Sequence, residues 1–179
     1  VRSFFYWQPE DPLKDTLAVR PDAVQKVIEM FYPLAERAKE AGLILAFENC
    51  GVKPDEVLAF VDALGEPSWG LAWDCMNSWN TPQREKDEDA YIRRMAKYTR
   101  VVHVKGKGVV PGVVDTQIPY DKVLQTLHNA GLQGPVSVET HIAEDRIENS
   151  KTVLDAIRQA WPSAAPGGLE TAQPKREVS

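Results

Sequence analysis

Cysteine is scarce in this chain: two residues, Cys50 and Cys75, among 179. That excludes a disulfide framework, and reduced thiols are the simpler reading of both. Long apolar runs are missing too. None approaches the roughly 18 consecutive apolar residues of a spanning helix, and no secretory signal is visible. A cytoplasmic location and no membrane partner are therefore expected. Positive charge is in deficit, with 21 Lys and Arg against 26 Asp and Glu and a net charge of -5. A chain of that balance offers no basic footprint for nucleic acid. Finally, no phosphate-gripping glycine motif follows the first strand-like run, which argues against a dinucleotide-binding opening unit.

What is present is a repeat of form. Hydrophobic residues at 43% and charged residues at 26% are ordinary globular values, and the length suits one domain with a sizeable core. Short apolar runs alternate with helical patterns. The runs are Val1 to Trp7, Leu43 to Glu48, Trp69 to Asp74, Arg100 to Lys105 and Val136 to Glu139. Helices are expected from Pro21 to Gly42, with Pro33 inside and Val24, Val27, Ile28, Phe31, Leu34, Ala35 and Ala38 inward. Others start at Pro54, with Val57, Leu58, Val61 and Leu64 inward, and at Glu85, where an acidic run suits a helix entrance. Two more run from Pro119 to Ala130 and from Ile147 to Trp161, the latter carrying Val153, Leu154 and Ile157 inward. Cys75 to Arg84 and Gly106 to Gln117 read as loops, and 163–179 as a disordered tail behind a domain covering 1–162.

Five strand-helix units in a row mean an α/β fold with parallel strands and right-handed crossovers. Either a doubly wound sheet or part of a (β/α)8 barrel satisfies the pattern. Parallel strands buried on both faces tolerate polar groups only where they emerge at their C-terminal ends. Four runs end this way, in Glu48, Asp74, His103 and Glu139. Taken singly, each acid is an ordinary cap or ion-pair partner, and His103 a core hydrogen-bonder. Four at equivalent places in consecutive units are different, because packed carboxylates raise one another's pKa unless a cation joins them. Three carboxylates and an imidazole suit one divalent ion, Mn²⁺ or Mg²⁺ best, with Co²⁺ and Zn²⁺ as alternatives. A zinc site using Cys50, Cys75 and His103 is disfavoured, since no Cys-x-x-Cys pair supports it.

The order FEN, WDCMN, VHVKG, GVVD, GPVSVE resembles the sugar isomerase/epimerase superfamily, the xylose isomerase-like (β/α)8 barrels. That resemblance spans about Val1 to Trp161 and implies a partial barrel, strands four to eight, with three N-terminal units missing. It implies that Glu48, Asp74, His103 and Glu139 hold one metal and that Glu48 and Glu139 form the acid/base pair. The activity implied is isomerisation or epimerisation of a sugar or polyol, by proton abstraction beside a carbonyl through an ene-diolate. An inosose or dehydroshikimate-type dehydratase, and a non-catalytic carbohydrate binder, are the alternatives. The full-length protein is expected to associate as a homo-oligomer, and the fragment alone need not be active.

Around these four residues the expectations are broader. Lys105 shares a strand face with His103 and meets either a substrate oxygen or the carboxylate cluster. Asn77 stands where several relatives carry a substrate-contacting histidine. Asn49, His141 and Arg146 either line the mouth and meet substrate or, as the simpler reading, are loop hydrogen-bonders, and Trp7 and Trp79 could stack on a sugar or pack in the core. Relatives commonly carry HVKD where this chain has HVKG, so an acid is absent at Gly106. A trinuclear zinc centre like that of the related endonucleases is disfavoured, with only three histidines present.

Overall fold

The computed structural model describes residues 2–3, 21–50, 54–64, 69–79, 88–106, 109 and 118–161. Five strands form one parallel sheet: β1 (Arg2–Ser3), β2 (Leu45–Glu48), β3 (Trp69–Asp74), β4 (Thr99–Lys105) and β5 (Val136–Glu139). Their spatial order is their chain order, each strand pairing with the next. A doubly wound sheet reverses order at a switch point, whereas a barrel advances in one direction. The sheet is thus an arc of a β/α barrel. Helices α1 (Pro21–Glu40), α2 (Pro54–Leu64), α3 (Cys75–Trp79), α4 (Glu88–Tyr98), α5 (Tyr120–Asn129) and α6 (Arg146–Ala160) connect and flank the strands.

The two-residue period of a strand sorts the side chains. Leu45 and Phe47, then Trp69, Leu71 and Trp73, then Val102 and Val104 point toward the helices and belong to one buried core. Phe47 is its centre. Its ring meets Phe31 of α1 and Phe60 of α2 edge-on, each with centroids 5.0 Å apart, and tilts against Trp69 at 5.5 Å. Such aromatic pairs add to area burial because ring edges and faces carry opposite partial charge. The other face carries small residues, Ala46, Gly70 and Ala72, and then the polar strand ends. Glycine at 70 is required by packing, since a Cβ there would lie 2.2 Å from Arg100 Cγ and 2.8 Å from the carbonyl oxygen of Tyr98.

Several expectations need correction. Residues 75–79 form α3, not the start of a loop, because Asp74 Oδ1 accepts the backbone N–H of Met76 (2.9 Å) and of Asn77 (3.3 Å) and so caps the turn. Strand β2 begins at Leu45 rather than Leu43. Leu43 and Ile44 belong to the turn that ends α1, where Gly42 adopts φ +67° and the N–H of Leu43 bonds the carbonyl of Ala38 at 2.7 Å. Leu34 and Leu154 lie on exposed helix flanks, at 49% and 37% exposure, while Ala35, Val153 and Ile157 fill the inward positions. One residue is a rotation of roughly 100° on a helix, enough to move a side chain off a narrow buried stripe.

Beyond Arg2–Ser3, the first predicted strand and the loop Gln8 to Arg20 lie outside the described residues. So do 65–67, 80–87, most of the Gly106 to Gln117 segment, residues 162–179, Trp7 and the side chains of Leu64 and Trp79. Among the described residues, no helix is long and apolar enough to cross a membrane.

Candidate metal centre

Strand register carries Glu48, Asp74, His103 and Glu139 to one place. Asp74 pairs with His103, and Lys105 pairs with Glu139, while the period-two alternation turns all of them to the inner face. Glu48, Asp74 and His103 are buried and Glu139 is half-buried. Each of the four offers a ligand atom, and these atoms all lie within 4.8 Å of one another.

The distances fit a coordination sphere better than a hydrogen-bond network. His103 Nδ1 stands 3.4 Å from Glu48 Oε2 and 3.5 Å from Glu139 Oε1, and makes no hydrogen bond among the described residues. Two donors held roughly 2.1 Å from one ion at angles of 90–109° stand about 3.0–3.4 Å apart. The donor set, hard carboxylate oxygens and one imidazole, suits a hard or borderline divalent cation. The residues present therefore fit such an ion.

Asp74 is held from two sides. Oδ1 caps α3, and Oδ2 lies 3.0 Å from Lys105 Nζ. Its backbone is clamped by Asn49, whose Nδ2 donates to the Asp74 carbonyl at 2.9 Å while its Oδ1 accepts the Asp74 N–H at 2.8 Å. Asn49 is fully buried and, as a hydrogen-bonder after its strand, ties the end of β2 to the end of β3.

Lys105 sits inside the cluster. Its ammonium reaches Glu139 Oε2 at 2.5 Å and His141 Nε2 at 3.0 Å as well as Asp74. Burial works against this charge, but the hydrogen bond to Glu139 and the field of Asp74 outweigh it, and the pKa lies above that of an ordinary lysine. His141 is drawn in further than a rim contact, with Nε2 3.4 Å from Glu139 Oε2, although its ring is 61% exposed. Its backbone is left-handed, φ 51°, a conformation that costs energy for a residue with a Cβ. Arg146 lines the same open cavity as Glu139 and His141. Asn77 is half-buried and contributes its backbone N–H to Asp74.

One contributor escaped the sequence. Tyr120 places its hydroxyl where it accepts the backbone N–H of Lys105 at 3.1 Å, and burial pushes its own pKa up, so the phenol stays protonated. Nothing but its place at the head of a helix marked it. Gly106 is explained by contact: a Cβ there would lie 2.7 Å from Ile142 Cδ1 and 2.8 Å from the carbonyl of Thr140, which accepts the Gly106 N–H. An aspartate at this position would have no room in this turn.

Neither cysteine joins the cluster. Cys75 is buried, and burial, followed by the charge of Asp74, raises its pKa well above the ordinary thiol value. In the folded chain at pH 8, Cys50 is expected to react with iodoacetamide and Cys75 to react only after denaturation. Peptide mapping by mass spectrometry reads the order, and early labelling of Cys75 would contradict this packing.

A parallel β/α arc whose inner strand ends gather three carboxylates and a histidine has the architecture of the C-terminal face of a β/α barrel. Comparison agrees: residues 6–160 match the family model of the xylose isomerase-like TIM barrel, and the chain belongs to that family. No curated protein matches it in sequence. Among solved structures it is similar to D-allulose 3-epimerase from Methylomonas sp. in complex with D-allulose, at 15% identity and a TM-score of 0.65. That match covers 87% of this chain and 59% of the epimerase. An L-ribulose 3-epimerase gives 20% identity and a TM-score of 0.64, over 86% of this chain and 56% of its own. A xylose isomerase-like TIM barrel protein from Mycobacterium smegmatis, in complex with magnesium, gives 20% and 0.57, over 82% and 53%. The chain thus spans between half and three-fifths of the length of these structures.

Proposed function

We propose that this chain carries the metal and acid/base half of a sugar or polyol epimerase or isomerase. The observation that carries the reading is the cluster itself: four ligand-bearing residues within 4.8 Å of one another, at the strand ends of a xylose isomerase-like barrel. Glu48, Asp74, His103 and Glu139 would hold one Mn²⁺ or Mg²⁺, and the magnesium-bound neighbour supports that choice of ion. When bound, such an ion supplies Lewis acidity that polarises a carbonyl and its neighbouring hydroxyl.

The remaining chemistry falls to the chain. Glu48 and Glu139 approach the site from β2 and β5, on either side of His103. One carboxylate takes the proton from the carbon beside the carbonyl, and the electron pair moves into the ene-diolate. The other, as the acid, returns a proton to the opposite face. Return to the same carbon inverts it, whereas return to the former carbonyl carbon, with the hydroxyl proton passing between the two oxygens, moves the carbonyl. Asn49 keeps Asp74 in place for this, and His141 and Arg146, which line the open cavity beside Glu139, would meet substrate hydroxyls, as would Asn77 after Asp74. With neither cysteine in a disulfide, a reducing compartment such as the cytoplasm would suit the protein.

The test is solvent exchange. The chain with Mn²⁺ in D₂O is offered a panel of ketoses including D-allulose and L-ribulose, and loss of the C–H signals beside the carbonyl is followed by NMR. Exchange that stops on adding EDTA is expected. Release of water with formation of a double bond would assign a dehydratase instead, and a chain that binds the ion and the ketose but exchanges no proton would be a binding protein.

A further inference from the structure

We infer that Lys105 is a fifth, cationic member of the cluster, a positioning residue whose ammonium occupies the outer oxygens of Asp74 and Glu139 and balances the charge of the site. The geometry divides each carboxylate. Glu139 turns Oε1 toward His103 at 3.5 Å and Oε2 toward Lys105 at 2.5 Å. Asp74 gives Oδ1 to the N–H groups of α3, and Oδ2 faces Lys105 at 3.0 Å. The ammonium also lies 3.0 Å from His141 Nε2.

The lysine is built in. Its side chain is 6% exposed, and its own backbone N–H is anchored on the Tyr120 hydroxyl. Hydrogen-bonded to Glu139, 3.0 Å from His141 Nε2 and ion-paired with Asp74, it is a strut, not a free hand for substrate. Charge makes the strut necessary. Glu48, Asp74 and Glu139 bring three negative charges into one largely buried volume, where like charges repel strongly. Among these described residues, one ammonium and one dication together would cancel the three charges. The inference rests on the metal reading of the cluster for the dication's share alone.

Thermal unfolding of the full chain separates the two. Wild type, Lys105→Met and Lys105→Met/Glu139→Gln are compared in EDTA and in saturating Mn²⁺. Methionine keeps the length of the stem and removes the charge. In EDTA, Lys105→Met is expected to unfold about 5–15 °C below wild type, as the loss of one partner of a buried pair predicts. Mn²⁺ should close most of that gap, and Glu139→Gln should recover stability in EDTA by removing one of the repelling charges. A single variant that folds only with Mn²⁺ or with the second substitution is the same result in stronger form. Equal stability of Lys105→Met and wild type in EDTA would overturn the inference, and so would a deficit that neither Mn²⁺ nor Glu139→Gln reduces. If Glu139→Gln rescues while Mn²⁺ moves no variant, the lysine's role stands and the metal reading falls. If Mn²⁺ stabilises wild type but Glu139→Gln rescues nothing, the reverse holds.

Discussion

Glu139→Gln is expected to reduce turnover of the responsive ketose by about 10³-fold or more, because it removes a proton-transfer group worth about 10²–10⁴ and weakens a metal ligand in the same stroke. The fold should survive. Glu139 sits at the end of β5, and its neighbours there are Lys105, His103 and His141, none of them in the apolar core. Glutamine keeps the shape and an oxygen acceptor but cannot take a proton at neutral pH. Solvent exchange beside the carbonyl, measured with circular dichroism on the same sample, separates lost chemistry from lost structure. Retained exchange in a folded variant would remove Glu139 from the mechanism.

The second large effect is structural. Gly134→Ala is expected to destabilise the chain by about 3 kcal/mol or more, beyond the usual range for overpacking. A Cβ at Gly134 would lie 1.7 Å from the carbonyl oxygen of Arg100 and 2.7 Å from its carbonyl carbon. Those are backbone atoms at the start of β4, and no rotamer change relieves them. The adjacent Pro135 carbonyl accepts the N–H of Val102, so separating the chains there also costs the entry bond of the β4–β5 ladder. A shift of β5 would move Glu139 relative to Lys105, its partner in register. Chemical denaturation measures the loss, and a Gly134→Ala chain as stable as wild type would show that β5 enters differently.

Both expectations lean on features of unequal visibility in the sequence. The strand ends were legible because burial on both faces demands apolar runs, so Glu48, Asp74, His103 and Glu139 stood out where those runs broke off. Their convergence follows from parallel pairing alone. Chain order around the arc was not legible, since a doubly wound sheet has the same alternation of elements and differs only in which strand lies beside which. Helix α3 was hidden because five residues without periodicity carry no helical signal, and the capping acid before them looked like a strand end.

Longer-range contacts were invisible for another reason. Asn49 clamps a residue 25 positions away, and Tyr120 meets Lys105 across 15. A polar residue in a loop is compatible with rim, cap or clamp until the partner is in place. Lys105 showed the limit most clearly. Its strand face followed from the period of two, yet contact with substrate or with carboxylates depended on the position of Glu139 and His141 on another strand.

The most direct test of the account is a Mn²⁺ titration of the full chain, read by calorimetry and by the electron paramagnetic resonance of free Mn²⁺. The account predicts one tight site per chain that is lost in His103→Ala and in Asp74→Asn, both still folded. A chain that binds no divalent ion, or binds one equally well after both substitutions, would contradict it.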